Sequence, residues 1–220
     1  LKSSYLFKNC ADLNIEELSE ECVIKTYDAG QYIVQEGDKS KGGFLTLTGR
    51  VSVSKSSPNG KDLIVALLAP GNSFSLFYLL DNFTGSIASK AQLNTKVLWI
   101  PKSSFNVFIN KEPLAYKYFS DLLAQHLIHS HVLSSSLAHA KVEDRIIKTL
   151  INLLPQFYNN GASKQTRIFI TRRELADLTG TTPETAIRIT KNLEREGVLD
   201  LSKPGIIKII DEEKLESFNK

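Results

Sequence analysis

A stretch of twenty residues, GTTPETAIRITKNLEREGVL, places charged side chains on the side of a helix that its apolar residues avoid. Glu184 and Arg188 stand four residues apart, and residues at that spacing are neighbours on a helix surface. A carboxylate can accept a hydrogen bond from cytosine N4, and a guanidinium can fork onto O6 and N7 of guanine. The pair therefore predicts a helix that reads bases in a DNA major groove, with the two side chains holding each other in place.

The residues around this pair predict two helices joined by a short turn. Thr171 and Glu174 have the spacing of a capping box, and Gly180 suits the end of the helix that they begin. Thr182 can cap the second helix, and Pro183 is pre-organised for its first position. The residues expected to face inward from the second helix are Ala186, Ile189 and Leu193. The prediction is a helix-turn-helix.

Phosphate contacts are expected from hydroxyls, free backbone N–H groups and cations near the two helix starts. Residues 164–195 carry seven Lys and Arg against four Asp and Glu, a local basic excess that permits nucleic-acid binding. A solvated helix with a favourable ion pair is the alternative, but cap, glycine and inward spacing all agree with a DNA-reading unit. The predicted DNA-binding residues are Thr171, Arg172, Thr182, Glu184, Thr185, Arg188 and Lys191.

Upstream, residues 27–105 consist of short runs rich in Val, Ile, Leu and Phe, of which KVLWIPKSSF is the last. Gly, Asp, Pro and Asn interrupt these runs about every 8–12 residues, which is typical of an antiparallel sandwich or barrel. The segment from Pro58 to Gly60 predicts a hairpin turn, and a short helix is expected at 14–21. These patterns predict an N-terminal β domain.

A long helix follows, from Pro113 to about Leu137. One stripe recurs at spacings of three and four and predicts a seam for pairing with a second helix. Packing along its own β domain is the alternative. The stripe consists of Tyr116, Phe119, Leu123, Leu127, Ser130, Ser134 and Leu137.

Beyond the hinge, VEDRIIKTLINLLPQF predicts a helix, RIFI a strand, and GVLDLSKPGIIKII a wing hairpin that turns at Pro204-Gly205. A terminal helix is expected in DEEKLESF. The predicted fold is α+β, with domains at 1–112 (sensor), 113–140 (dimerisation helix and hinge) and 141–220 (winged helix-turn-helix).

Composition excludes several classes of protein. The chain has 220 residues and a net charge of +3, and its longest clean apolar run, Leu63–Ala69, is far below the ~20 residues of a membrane span. The first residues lack the features of a secretory signal, so we expect a cytoplasmic protein. Cys10 and Cys22 make neither a disulfide framework nor a CxxC pair. Nothing places a nucleophile beside a base, so no enzyme is predicted, and no metal site is assigned from the sequence.

With these elements in order, the chain resembles the Crp–Fnr family of bacterial transcription regulators. The segments EGDKSKGGFLTLTGRVSV and TTPETAIRITKNLEREGVL carry a resemblance that extends over nearly the whole chain. The first domain then corresponds to the family's cyclic-nucleotide-binding-like β-roll or jelly roll. The residues that fall at the family's turns or match its Glu-Thr-x-x-Arg signature are Gly37, Asp38, Gly49, Gly71, Glu184, Thr185 and Arg188.

The resemblance implies a homodimer that binds an inverted-repeat operator in double-stranded DNA and acts on RNA polymerase. Glu184 and Arg188 would read a core containing G·C in each half-site. Pro183 and Ile187 depart from members that have a base-reading Arg and a Gly or Ser at these positions. Operator specificity outside the core, and the choice between activator and repressor, are therefore left open.

The sensor domain departs from the members that bind cyclic AMP, which resemble FGELALL…RSA in the phosphate cassette. There a Glu meets the ribose and an Arg meets the cyclic phosphate. In FSLFYLLDNFTGSIASKA, Leu76 stands at the Glu position, Gly85 at the Arg position, and Ile87 replaces a small residue. A buried phosphate without its Arg is a poorly compensated charge, so we do not expect cyclic AMP to bind in the family's usual mode.

Three alternatives remain for the signal: an unknown small apolar effector, haem, or a cassette that only packs the core. His126 and His129 share a helix face and are candidate metal or haem ligands, although polar positions beside a dimer seam are the commoner case. A ligand- or protein-binding module with a vestigial DNA-binding domain is the alternative function. The candidate effector residues are Phe74, Leu76, Gly85, Ser86, Ile87 and Ser130.

Overall fold

The structure is a computed structural model, and its chain divides into two compact units that are described separately below. The first unit comprises residues 1–60 and 65–131, and the second comprises 61–64 and 132–220. Among the described residues, no helix combines the length and the apolar character needed to cross a membrane. The structure describes residues 7, 15–39, 41–56, 62–80, 84–154 and 167–218.

The β domain, which lies in the first unit except for residues 62–64 of one edge strand, contains two four-stranded sheets in which the recorded strand pairs are antiparallel. One sheet has the strand order β1-β8-β3-β6 and the other has β2-β7-β4-β5. Short strands separated by turn residues favour this arrangement, because each sheet then turns one face to the core. The strands are β1 (Val23–Tyr27), β2 (Tyr32–Val34), β3 (Gly42–Thr48), β4 (Val51–Ser56), β5 (Asp62–Leu68), β6 (Ser73–Phe74), β7 (Ala88–Ala91) and β8 (Thr95–Pro101).

Two apolar clusters fill this unit. One is built on the strands and includes Phe44, Phe74 and the fully buried Tyr78. The stacked rings of Phe44 and Phe74 lie 5.2 Å apart. The other cluster joins a helical turn at Leu76–Leu79 to the helices that flank the strands. The cassette is thus part of both clusters.

The helices of the first unit are α1 (Glu16–Glu21), α2 (Lys102–Lys111) and the first part of α3 (Pro113–His139). The prediction of a strand over the whole of KVLWIPKSSF is wrong for its last residues, because β8 stops at Pro101 and α2 begins at the next residue. Phe105 and Phe108 are one helical turn apart, and both are buried. Their burial in the second cluster outweighs the weak local preference of that segment.

The second unit contains the helix-turn-helix, one helix on either side of it in the chain, and a three-stranded sheet of order β10-β11-β9. The predicted elements are confirmed here, whereas the predicted hairpin turn at Pro58 to Gly60 lies outside the described residues. The domain boundaries stay a prediction. The elements are α4 (Val142–Leu153), β9 (Arg167–Phe169), α5 (Arg172–Thr179), α6 (Pro183–Arg195), β10 (Leu199–Asp200), β11 (Ile206–Ile209) and α7 (Glu212–Ser217).

Candidate nucleic-acid interface

The first helix of the helix-turn-helix, α5, begins at a capping box, as predicted. Thr171 Oγ1 accepts a hydrogen bond from the Glu174 backbone N–H at 3.1 Å, and Glu174 Oε2 accepts from the Thr171 backbone N–H at 2.7 Å. The Thr171 hydroxyl also donates to Glu174 Oε2 at 2.9 Å. Two backbone donors near the helix start are satisfied in this way. The hydroxyl proton of Thr171 is engaged within the protein, so a phosphate contact here requires that it turn away from Glu174.

Gly180 fixes the turn between α5 and α6. Its backbone has φ 59° and ψ 42°, the left-handed conformation that ends many helices and that glycine adopts without strain. A Cβ atom at this position would lie 2.8 Å from Cδ2 of Leu137. The conformation therefore favours glycine here, and a side chain would also require the Leu137 side chain to shift.

Arg145, a residue not singled out from the sequence, binds the last carbonyl of α5, just before this turn, and a carbonyl just before α4. Its Nε donates to the Thr179 carbonyl at 2.8 Å, and its Nη1 donates to the Ala140 carbonyl at 2.8 Å. The last carbonyls of a helix have no partner within that helix, so the guanidinium satisfies one of them at the end of α5. Arg145 lies in the first turn of α4, where a cation opposes the helix dipole, and this unfavourable placement is the feature of the sequence that could have pointed to its role.

The second helix, α6, begins at Thr182, whose Oγ1 accepts a hydrogen bond from the Thr185 backbone N–H at 3.3 Å. Pro183 occupies the first helical position, as predicted. The inward face is buried, and the hydroxyl of Thr190 on that face donates to the Ala186 carbonyl at 2.8 Å. The buried residues of α6 are Ala186, Ile189, Thr190 and Leu193. This packing holds the opposite face of α6 towards solvent.

The outward face of α6 carries the base-reading candidates. Glu184, Arg188 and Lys191 are exposed, and Thr185 is half-buried. The expected pairing of Glu184 with Arg188 is not found among the ion pairs of the described residues. Hydrogen bonds from the Glu184 backbone N–H and from the Thr182 hydroxyl instead hold the pKa of the Glu184 carboxyl below its ordinary value. The carboxylate is oriented by the helix start, and the Arg188 guanidinium extends separately.

Arg172 differs from the other cations predicted to contact DNA because it is half-buried. Burial lowers the pKa of its guanidinium, and the nearby Glu194 on α6 acts in the opposite direction. Glu194 Oε1 also accepts the Leu201 backbone N–H at 3.1 Å. Arg172 thus lies beside a carboxylate that already links α6 to the wing, and only part of its side chain is available to a phosphate.

The wing is formed by β10 and β11, which pair antiparallel with Leu199 opposite Ile209. Asp200 Oδ1 accepts the Ser202 backbone N–H at 2.9 Å at the start of the turn, and Gly205 has a φ of 74° at its end. Lys203 is exposed between them. This hairpin is predicted from the sequence, which assigns no DNA contact to it, and Lys203 is the cation that its turn presents.

In the sensor domain, the Tyr78 side chain lies against Gly85, the position that the family resemblance aligns with the arginine of members that bind cyclic AMP. The Tyr78 hydroxyl donates to the Asp38 carbonyl at 3.0 Å, and the Gly85 backbone N–H donates to the same carbonyl at 2.9 Å. The Gly37 backbone N–H in turn donates to the Gly85 carbonyl at 2.8 Å. A Cβ atom at Gly85 would overlap the Tyr78 hydroxyl. The chain at this point has no room for any side chain.

The other candidate effector residues differ in how far they are exposed to solvent. Phe74 and Leu76 are 3% and 2% exposed and belong to the two core clusters. Ile87 is half-buried and Ser86 is exposed. Ser130 is exposed on α3, and its hydroxyl donates to the His126 carbonyl at 2.9 Å. Two of these residues are therefore buried like core side chains, and two others are exposed like surface side chains.

Comparisons with known proteins agree with this architecture. Residues 24–112 match the family described as the cyclic nucleotide-binding domain, and residues 144–218 match the Crp-like helix-turn-helix domain. The β-roll, long helix and helix-turn-helix expected from the sequence are thereby confirmed. A relative from Thermus thermophilus, named cyclic AMP receptor protein, is 28% identical over 99% of this chain and 98% of its own length.

Solved structures share the fold. FixK2 from Bradyrhizobium japonicum has a TM-score of 0.81 at 20% identity, covering 90% of this chain and 98% of its own. The c-di-GMP-responsive global regulator CLP of Xanthomonas campestris has a TM-score of 0.76 at 20% identity, with the same coverage. Both family matches, in this order along the chain, and relatives of nearly full length lead to one assignment: the chain belongs to the Crp–Fnr family of DNA-binding transcription regulators.

Proposed function

We propose that the protein is a homodimeric regulator that binds an inverted-repeat operator and reads each half-site with Glu184 and Arg188. The observation that carries this proposal is the outward face of α6, where both side chains are exposed while the opposite face is buried. A recognition helix needs such a division, since its exposed side enters the major groove. In its DNA-bound form the dimer acts on RNA polymerase, as family membership implies.

Exposed apolar side chains on α3 support the dimer. Leu127 is 56% exposed and Tyr116 is 54% exposed, on a helix of 27 residues. Apolar residues in such a stripe are stabilised when a second helix covers them. A two-fold dimer then presents two recognition helices to half-sites about 34–36 Å apart, one turn of DNA. A protein that binds chromosomal DNA works in the compartment that holds it, so we assign it to the cytoplasm.

The recognition face also suggests how the two side chains divide the work. Glu184 accepts from cytosine N4, and Arg188 donates two hydrogen bonds to guanine. Because they are not paired with each other, each is free to meet a different base. Ile187 lies between them and is 39% exposed, and an apolar side chain there suits a thymine methyl group. Lys191 and Lys203 supply phosphate contacts that carry no sequence information.

We infer that the signal is not cyclic AMP bound in the usual mode, although the Thermus thermophilus relative bears that name. The absence of space at Gly85 and the burial of Leu76 support this inference. We expect no binding of cyclic AMP at millimolar concentration by titration calorimetry. Because the apolar side chains that would surround haem belong to the core, the absorption spectrum of protein purified without added oxygen should lack a Soret band. Micromolar cyclic AMP affinity or a strong Soret band would contradict this part of the proposal.

The test of DNA binding is an operator selection followed by affinity measurement. Double-stranded oligonucleotides are selected on the purified protein, and the enriched inverted repeat is used in fluorescence anisotropy. Glu184→Ala and Arg188→Ala should each weaken specific binding about 5- to 150-fold, the equivalent of ~1–3 kcal/mol per base contact. Each should also relax the preference at its own base pair.

Arg195→Ala is the matched control, because this exposed arginine lies at the far end of the same helix. It should change affinity less than threefold. Replacing thymines of the selected site by deoxyuridine, which lacks the methyl group, should weaken the wild-type protein but not Ile187→Ala. If Glu184→Ala and Arg188→Ala bind the selected DNA as tightly as the wild type does, the proposal that these two side chains read the bases is wrong. If no sequence is enriched, the chain is a binding module with a vestigial DNA-binding domain.

A further inference from the structure

Three histidines lie within six residues of α3, on a stretch where every side chain from Ala124 to Val132 is exposed. His126 and His129 are three residues apart and therefore share one face. Within the described part of a single chain, however, no group of three His, Cys, Asp or Glu side chains is arranged to hold a metal ion.

The structure removes Phe119 from the predicted seam of α3, and it half-buries two further seam residues, Leu123, which packs against the core of the first unit, and Leu137. Phe119 is 2% exposed and contacts Phe105, with ring centroids 4.9 Å apart, so it belongs to the core of its own unit. Ser120, the next residue, is exposed. With that change the seam alternates strictly between spacings of four and three, the heptad pattern of a two-stranded coiled coil. The seam residues are Tyr116, Ser120, Leu123, Leu127, Ser130, Ser134 and Leu137.

This register places the histidines beside the seam. With Leu127 at position a and Ser130 at position d, His126 occupies position g and His131 position e. In a parallel pair of helices, a g residue faces the e residue five positions later on the partner, and His131 is five positions after His126. His129, at position c, borders His126 on its outer side.

The parallel direction follows from the proposed function, on which this inference rests. Both recognition helices come after α3 in the chain and must reach one duplex. The 27 residues of α3 span about 40 Å at ~1.5 Å per residue. Parallel pairing keeps the two carboxyl ends of α3 together, whereas antiparallel pairing would place them at opposite ends of that length.

We infer that the homodimer binds one Zn²⁺ ion on each side of the α3 seam, through His126 and His129 of one protomer and the partner's His131. Three imidazole nitrogens and one water make a tetrahedral zinc site that keeps one open position. Two-fold symmetry gives two such sites per dimer. Because each ion is held by both protomers, zinc stabilises the dimer by mass action.

The test uses untagged protein, ZnCl₂ in titration calorimetry, and sedimentation to follow the dimer. We expect two zinc ions per dimer and at least a tenfold lower dimer dissociation constant at saturating zinc. Co²⁺ should give the visible absorption of a tetrahedral site. His131→Ala and His126→Ala should each abolish these effects, whereas His139→Ala, a histidine at the outer position f of the same helix, should not. Circular dichroism verifies that each variant is folded.

Mixing variants tests whether the site is shared. Homodimers of His126→Ala or of His131→Ala have no complete site. A heterodimer of the two has one complete side, so mixing should restore one zinc ion per heterodimer. A dimer that binds its operator but no zinc, or a mixture that restores nothing, would overturn the inference while the proposed function stands. A chain that stays monomeric and enriches no operator would overturn both.

Discussion

The contact between Tyr78 and Gly85 leads to a prediction that a double-mutant cycle can test. Gly85→Ala introduces a methyl group where the Tyr78 hydroxyl already lies, and because Tyr78 is fully buried its ring can move aside only by disturbing the surrounding core. Overpacking of this kind costs about 1–3 kcal/mol. Displacing the hydroxyl also breaks its hydrogen bond to the Asp38 carbonyl, worth ~0.5–1.5 kcal/mol. We therefore expect Gly85→Ala to lower the free energy of unfolding by about 2–4 kcal/mol.

Tyr78→Phe should cost less, at ~0.5–1 kcal/mol, because the Asp38 carbonyl keeps the hydrogen bond from the Gly85 N–H. It should also rescue the alanine. Without the hydroxyl, the nearest ring atom to the new methyl group is Cζ at 3.3 Å, a contact that a small shift relieves. In the Tyr78→Phe background, Gly85→Ala should cost at most about 1 kcal/mol, so the two changes should couple by roughly 1–3 kcal/mol.

The assay is urea unfolding followed by the fluorescence of Trp99. It is the single tryptophan of the chain and lies in β8, so its signal reports the β domain alone. That selectivity matters because a chain with two units need not unfold in one step. Ser86→Ala, at the exposed neighbouring residue, is the control and should change little. Equal costs of Gly85→Ala in the wild-type and Tyr78→Phe backgrounds would refute the reasoning, and a Gly85→Ala variant too unstable to fold is still decided by the double variant.

Three further predictions concern other residues. Arg145→Ala should destabilise the second unit by ~1.5–3 kcal/mol. Arg145→Lys should cost nearly as much, because an ammonium cannot donate in two fixed directions. The readout is faster hydrogen exchange in α5, and unchanged exchange would exclude a role of Arg145 in stabilising the end of that helix. Ser75 has a φ of 56°, and its buried hydroxyl lacks a hydrogen-bond partner among the described residues. Ser75→Gly should therefore raise the free energy of unfolding by about 0.5–1 kcal/mol. Ser75→Ala keeps the backbone strain and should raise it by less. Burial raises the pKa of the Cys22 thiol to about 11, so its alkylation by iodoacetamide should be slow at pH 8 and rise about tenfold per pH unit until near that value; Cys22→Ser isolates the signal of Cys10, and a plateau near pH 9 would contradict the shift.

The helix-turn-helix could be predicted from the sequence because its determinants are local. Thr171 caps a residue three positions away, Gly180 needs only its own backbone conformation, and Thr182 acts within one turn. The same reasoning failed for the Glu184–Arg188 pair. A helix spacing permits that ion pair, but the carboxylate found competing donors at the helix start that are closer in the chain.

The closed cassette could not be predicted, because it depends on residues distant in the chain. Leu76 and Gly85 showed that the cassette's charged groups were missing, but not what replaced them. The Tyr78 hydroxyl meets a carbonyl 40 residues away, at Asp38. The boundary of α2 failed for a similar reason, since Phe105 is helical through packing rather than through local preference.

The Tyr78–Gly85 contact also limits the paths open to the chain in evolution. An arginine at position 85 would be blocked for as long as the tyrosine keeps its hydroxyl there, so the chain could not acquire that side chain by a single tolerated substitution. Tyr78→Phe would have to come first, and by itself it offers no gain that selection could favour. Two substitutions in a fixed order, the first of them neutral or costly, therefore separate this domain from one that carries an arginine at position 85.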